Sequence, residues 1–345
     1  MPDSPLPSPV VRGDALERQL AAQKARRAAD PLLSLVVPVF NEEESVDVFL
    51  GVVVPLLERD RLRFEIVFVN DGSRDNTLAH LLDCSARDPR IRIVNLSRNF
   101  GKEAALTAGI DHAKGDVLVP MDIDLQDPPE LIEPFIARWR EGYDIVYGVR
   151  TTRPWDTVAK RLSAAWFYRV FNSMSPVRIP TNVGDFRLVD RRAAEVLRQL
   201  PERNRFMKGL FAWVGFNAVG VPYERQPRAA GSSKFDLWRL WNFALDGVVS
   251  FSTVPLRVSF YAGLAIAAFA ALYALFIISR VLIFGIDTPG YASLIIVVLL
   301  MGAIQLVSIG VIGEYLGRLF LEVKARPIYV VEGVYEEGAA RPPQV

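Results

Sequence analysis

Two hydrophobic periods alternate along the first half of the chain. Residues 32–40 (LLSLVVPVF) form a short apolar run rich in Val and Leu, and 64–72 (FEIVFVNDG), 91–97 (IRIVNLS) and 116–124 (DVLVPMDID) repeat it. Between them, 43–57, 76–86 and 102–112 carry apolar residues at helical spacing. Short β-rich runs separated by single helices predict an α/β domain built on a mostly parallel sheet. Ligands of such sheets bind beyond the carboxyl ends of the strands. Each polar cluster of interest, FNEEES, VNDGSRD and MDIDLQDPPE, falls at such an end.

The second half changes character. No charged residue occurs from 258 to 279, nor from 288 to 313. Each run reaches the roughly 20 residues a helix needs to cross a bilayer. A short linker with Arg280 and Asp287 separates them, which predicts a two-helix transmembrane hairpin at about 258–279 and 289–313. Arg239, Arg257, Arg318, Lys324 and Arg326 flank the hairpin outside, so both termini are expected in the cytosol and the protein in the inner (cytoplasmic) membrane. Gln305, inside the second run, suits a hydrogen bond between helices. Residues 160–171 (KRLSAAWFYRVF) and 235–251 interleave basic residues with Trp and Phe, a pattern of helices lying in the headgroup layer or of an aromatic core face. The expected organisation is a flexible tail over 1–30, a catalytic domain over 31–235, an interfacial helix over 236–255, the hairpin over 256–318 and a cytosolic tail over 319–345, with part of the first tail helical around 16–27.

Composition narrows the chemistry. The chain has 345 residues, 51% of them hydrophobic, and a formal net charge of +1, so no global field draws it to nucleic acid. Its single cysteine, Cys84, excludes a disulfide framework within the chain and reads as a buried structural thiol. With two histidines, His80 and His112, imidazole chemistry is poorly supplied, which points to a hard cation on oxygen ligands. The N-terminus lacks the apolar core of a signal peptide.

Among the clusters, Asp122, Asp124, Gln126 and Asp127 follow an apolar strand that aims them inward. Residues two apart on an extended chain face the same way, so Asp122, Asp124 and Gln126 are expected to present three oxygens on one side. A divalent cation bridging to a diphosphate needs that donor set. Asp71 at the second strand end is placed to accept hydrogen bonds from a base or ribose, and Gly72 permits close backbone approach. Asn41, Glu42 and Glu43 open a helix, where acidic residues also suit the helix dipole.

Taken in order, FNEE, VNDGSRD, SRNFGKEAALTAG and MDIDLQDPPE resemble the inverting glycosyltransferase family two, with its GT-A fold, over roughly 32–235. GDFRLVDRR, RNRFMKGLFAWVGF, GSSKFDLWRL and the hairpin narrow the resemblance to the polyprenyl-phosphate glycosyltransferases: bactoprenol glucosyltransferases, dolichol-phosphate mannosyltransferases and the enzymes that load aminoarabinose on a lipid carrier. The resemblance implies that Pro38, Asn41, Glu42 and Asp71 line a nucleotide-sugar pocket with Arg98 and Lys102 nearby. It implies that Asp122 meets the diphosphate and metal, and that Asp124 and Gln126 hold Mg²⁺ or Mn²⁺. Asp185, in VGDFR, is a candidate to orient sugar or acceptor, or else a fold-stabilising carboxylate. Arg187, Arg203, Arg205, Lys208 and Lys234 are candidates for the acceptor phosphate or for anionic headgroups. No Gln-x-x-Arg-Trp motif of the processive synthases is present, which argues for transfer of a single sugar.

The implied partners are a nucleotide sugar (UDP-glucose first, GDP-mannose or a UDP-aminoarabinose as alternatives), a polyprenyl phosphate such as undecaprenyl phosphate, membrane lipids and further copies of the chain, a homotetramer among them. Two other classes fit worse. A nucleotide-regulated channel subunit would carry an ionisable residue at mid-membrane, and neither apolar run does. A dinucleotide-dependent oxidoreductase would carry G-x-G-x-x-G after the first strand, where FNEEES stands instead.

Overall fold

The computed structural model describes residues 13–151, 183–203, 205–224, 252–284, 290–336 and 339–341. In chain order the elements are α1 (Gly13–Lys24), β1 (Leu32–Val39), α2 (Ser45–Arg59), β2 (Arg63–Asn70), α3 (Thr77–Arg87), β3 (Ile91–Leu96), α4 (Lys102–His112) and β4 (Val117–Pro120). They continue with a 3₁₀ turn (Pro129–Leu131), α5 (Ile132–Arg140), β5 (Ile145–Arg150), β6 (Val183–Asp190), α6 (Arg191–Gln199), α7 (Met207–Trp213) and β7 (Ala218–Tyr223). The last are α8 (Val254–Phe284), α9 (Tyr291–Val323), β8 (Val331–Glu336) and β9 (Ala339–Arg341).

The strands form one nine-stranded sheet in the order β7-β5-β6-β4-β1-β2-β3-β8-β9. Its centre, β4-β1-β2-β3, is parallel, as the alternation of strand and helix requires. Antiparallel β6 and β8 flank it. The period-2 pleat divides β1 between two cores. Leu33, Leu35 and Val37 pack with Phe49, Phe68, Phe135 and Trp139 on one face, and Val36 packs with Leu106, Ile110 and Leu210 on the other. Helix α4 lies flush on the sheet because Ala and Gly line its inner side. A Cβ on Gly109 would stand 2.2 Å from Val36 Cγ1. This close approach brings Lys102 and Glu103, at the start of α4, to the strand ends.

Both expected tails are partly structural. Within 1–30, α1 is a helix, and the Arg27 guanidinium pairs with Asp190 and, at 2.7 Å, with Asp144. It also lies 4.7 Å over the Trp139 ring, whose Nε1 donates to Asp190 at 2.8 Å. All of these side chains are buried, so the segment joins the fold rather than hanging from it. Within 319–345, α9 runs to Val323, and β8 then adds to β3 at the sheet edge. Arg92 holds that edge strand through Glu336 while bonding Glu65 at 2.8 Å.

The apolar runs form longer helices than the charge-free stretches, because α8 and α9 absorb their charged flanks, including Glu314 and Arg318. Stretches Val254–Arg280 and Leu300–Val323 are long and apolar enough to cross a membrane. Phe260, Leu272, Leu282 and Leu306 present more than half their surface outward. The two helices touch one another, and Tyr315 of α9 donates to the Ser252 carbonyl at the base of α8. Exposed apolar surface on this scale marks membrane association. The stretches 160–171 and 235–251, with Lys234, lie outside the described residues.

Candidate active site

The strand ends β1, β2 and β4 and the start of α4 enclose a cleft of about 330 Å³, lined by Pro38, Glu42, Asp71, Lys102, Asp122 and Asp124 among others. The sequence clusters therefore converge on one cavity at the expected side of the sheet. Their detailed geometry differs from the expectation at three points.

First, β4 stops at Pro120 rather than running to Asp124. Ile123 and Asp124 form a turn, and Leu125 has φ +53°, a left-handed conformation that a Leu adopts at a cost of about 1–3 kcal/mol. The alternation that was to align three oxygens therefore does not operate. Asp124 Oδ1 accepts the Gln126 N–H at 3.2 Å. Gln126 Oε1 is buried without a hydrogen-bond partner among the described residues. An unpaired buried oxygen costs about 1–3 kcal/mol unless a cation or donor meets it. Hard-oxygen donors such as the Asp122 and Asp124 carboxylates, which line the cleft, suit Mg²⁺ or Mn²⁺ with substrate phosphate and water as remaining ligands.

Second, Asp71 is committed to the protein. Its two oxygens accept the N–H groups of Phe100 at 2.7 Å and Gly101 at 2.9 Å. Burial pushes its carboxyl above the usual range, against the pull of those two N–H groups and of Arg98. Asp71 lines the cleft and also moulds the loop before α4. Gly72 (φ +65°) follows because a Cβ there would stand 2.4 Å from the Arg98 carbonyl carbon. Asn41 likewise ties loops together: its N–H donates to Ser73 Oγ and its Oδ1 accepts from the Arg74 N–H, both at 2.9 Å. Arg98 stacks 4.0 Å over its neighbour Phe100.

Third, the basic candidates separate. The Lys102 ammonium sits 2.6 Å from Asp122 and 3.3 Å from Asp185. Partial desolvation opposes its charge, but the two carboxylates outweigh it and raise its pKa. Asp185 is the converse case. Burial works against its ionisation, yet Lys208, Lys102 and Arg187 hold it far below the ordinary carboxylate range. Its Oδ1 is buried and has no hydrogen-bond partner among the described residues, so it can accept from a ligand hydroxyl. Arg187 is buried, donating to the Gly184 carbonyl at 2.7 Å and lying 4.1 Å over Phe211. Arg203 and Arg205 are engaged by other parts of the fold. The Arg203 N–H meets Glu322 of α9 at 2.8 Å and its guanidinium the Arg326 carbonyl. Arg205 caps the end of α6 through the Leu197 and Leu200 carbonyls.

Sequence reasoning missed Glu103 next to this centre, and it missed the partners of Asp127. Glu103, beside Lys102, accepts the Met207 N–H at 3.0 Å, and burial followed by the charge of Asp185 raises its pKa to about 7. Asp127 accepts from Tyr223, which is itself bonded to Arg150 at 3.1 Å. The members of that network are separated by up to 96 positions, so no local pattern announces it. Cys84 is buried, as expected, and with His80 and Asp47 it brings ligand atoms within 4.8 Å of one another, apart from the cleft.

The comparisons with known proteins agree with this architecture. Residues 34–198 match glycosyl transferase family 2, and residues 254–319 match the GtrB C-terminal hairpin. An uncharacterised glycosyltransferase of Synechocystis sp. is 51% identical, covering 88% of this chain and 95% of that protein. The SfII prophage-derived bactoprenol glucosyl transferase of Shigella flexneri is 48% identical, over 87% of this chain and 97% of that protein. The prophage bactoprenol glucosyl transferase homolog of Escherichia coli K12 is 47% identical over 88% and 99%. The chain belongs to glycosyltransferase family 2, within its bactoprenol glucosyl transferase-like branch, and is a membrane-associated glycosyltransferase.

Proposed function

We propose that this enzyme transfers one glucose, with inversion, from UDP-glucose to a polyprenyl phosphate at the cytosolic membrane face. The observation that carries the reading is the joining of an acidic strand-end cleft to an apolar hairpin in a chain about half identical to bactoprenol glucosyl transferases. An acceptor whose tail stays in the bilayer requires an active site held at its surface. The chain leaves the sheet domain into α8 and returns from α9 into β8 of the same sheet. Two single crossings bring both ends back to one side, which together with the basic flanks supports cytosolic termini.

In this reading Pro38, Glu42 and Asp71 line the donor pocket. Asp122, Asp124 and Gln126 would hold Mg²⁺ or Mn²⁺, which, when bound, supplies positive charge to the departing nucleoside diphosphate. Lys102, between Asp122 and Asp185, adds a fixed cation to the same region. The acceptor phosphate has a second pKa near ~6, so at cytosolic pH its oxygen attacks without a base from the protein. That oxygen bonds to the anomeric carbon as the bond from that carbon to the nucleotide oxygen breaks, and the electron pair leaves on the diphosphate. Ionised Asp185, with an oxygen open to a ligand, would orient a sugar hydroxyl. Lys208, whose charge acts on Asp185, would meet the incoming phosphate.

The test uses detergent-solubilised protein with undecaprenyl phosphate and Mg²⁺ or Mn²⁺. UDP-glucose, UDP-galactose, UDP-N-acetylglucosamine, GDP-mannose and a UDP-aminoarabinose derivative are offered separately, and extracted lipid is weighed by mass spectrometry. Glucosyl lipid from UDP-glucose alone is the expected result. A product with another donor only would reassign the sugar, and no product from folded protein would remove the lipid-phosphate acceptor.

A further inference from the structure

Glu103 stands in the first turn of α4, next to the cleft-lining Lys102. It is partly buried, and the ordinary reading of SRNFGKEAALTAG gives it no task. Its carboxylate accepts the Met207 N–H at 3.0 Å, across 104 positions of sequence. The same turn of α4 meets Met207 a second time, through Thr107 Oγ at 3.9 Å from Met207 Sδ. Helix α7 is then gripped from its other side by β6, where Arg187 lies 4.1 Å over Phe211. Leu106 and Ile110 of α4 pack with Met207, Leu210 and Phe211 in one apolar cluster. The residue after Met207 is Lys208, a leading positive charge acting on Asp185.

We infer that Glu103 is a positioning residue of the transfer reaction: by holding the Met207 N–H it sets the start of α7 and so keeps Lys208 beside Asp185. The inference rests on the lipid-phosphate reading above, in which Lys208 and Asp185 face the incoming acceptor and sugar. Without the clamp, the first turn of α7 has an unsatisfied N–H, and the lysine that follows loses one of the constraints on its position. A misplacement of about 1 Å at such a site costs about 10²-fold in rate.

The test compares full-length wild type with Glu103→Ala, Glu103→Gln, Lys208→Ala and the Glu103→Ala/Lys208→Ala double variant. Transfer from UDP-glucose to undecaprenyl phosphate and amide hydrogen exchange over residues 206–213 are both measured. The expected result is a loss of about 10-fold or more in kcat/KM for the acceptor in Glu103→Ala, with the donor KM changed less than about twofold. Gln retains an oxygen acceptor and recovers most of the loss. In the double variant, Glu103→Ala adds less than about twofold to the loss of Lys208→Ala, because the two act as one unit. Exchange at 207–210 accelerates in Glu103→Ala. Additive losses, or Glu103→Ala turnover within about twofold of wild type, would overturn the role assigned to Glu103. Unchanged exchange at 207–210 would overturn it whatever the turnover. Accelerated exchange with no transfer by the wild type would instead sink the reaction reading and leave the clamp standing.

Discussion

The Lys102 ammonium lies 2.6 Å from Asp122 Oδ1 at the mouth of the cleft, and the pair is about one-third to one-half exposed. Exposure decides what the pair is for. Exposed ion pairs contribute about 0–1 kcal/mol to stability, whereas a cation fixed where charge develops in a transition state contributes several-fold more to rate. Lys102→Met should therefore lower kcat by about 10²-fold or more while leaving the unfolding temperature nearly unchanged. Steady-state transfer rates beside a thermal melt check this, and a melt that falls in step with activity would make the pair structural.

Removal of the cation gives a second prediction. Asp124→Ala should abolish transfer without unfolding the protein, since Asp124 sits in a surface turn beyond the strand end. Chelator should do the same to the wild type and be reversed by Mg²⁺ or Mn²⁺. Near-normal turnover of Asp124→Ala would remove this residue from the cation site.

Gly72 tests the loop that Asp71 moulds. An alanine there would put Cβ at 2.4 Å from backbone and demand a left-handed φ, so Gly72→Ala should destabilise by about 1–3 kcal/mol. Because the atom it meets belongs to Arg98, the displacement passes to the Phe100–Gly101 loop and should raise the donor KM. Titration of UDP binding separates that effect from a general loss of fold.

The pKa of Glu103 predicts a pH dependence. Its folded value of about 7 lies above the ordinary 4.5. A carboxyl raised in this way contributes stability that is present at low pH and lost as pH rises through about 7. The ionised form then carries a penalty of at most a few kcal/mol. Glu103→Gln avoids ionisation, so its melting temperature should exceed that of wild type above about pH 7 and approach it below about pH 5. Melts across that range in the same detergent decide it, and parallel curves would contradict a raised pKa.

Arg27 provides a stability test remote from the cleft. It pairs with buried Asp144 and Asp190, and removing one partner of a buried charge pair costs about 3–5 kcal/mol. Arg192, 3.2 Å from Asp144, offsets part of that cost. Arg27→Met should lower the melting temperature while the folded fraction keeps normal KM values. A chain truncated before Pro31, which lacks Arg27, should melt below the full chain.

Much of this protein was legible in the order of its residues. The alternation of short Val- and Ile-rich runs with single helices fixed the parallel centre of the sheet, because both periods arise from local backbone geometry. Helix α4 spans the residues its pattern predicted. The uncharged runs announced the hairpin, since a bilayer tolerates no other composition over that length. The strand-end clusters named the cleft, because topology alone puts carboxyl ends of parallel strands together.

What the sequence left undecided depends on partners distant along the chain. Nothing local tells that Arg27 reaches Asp190, that residues 331–336 return from the hairpin to pair with β3, or that Glu103 receives the Met207 N–H. Arg203 and Arg205 read as phosphate binders because charge and position are visible in sequence, while the carbonyls and the Glu322 carboxylate that engage them are not. The Asp122–Gln126 turn was misread for a related reason. Alternation holds only while the chain is extended, and Leu125 leaves that conformation inside the cluster. Local periodicity determined the scaffold and the place of the site, whereas the partner of each charge was settled by contacts that exist only once the sheet has closed.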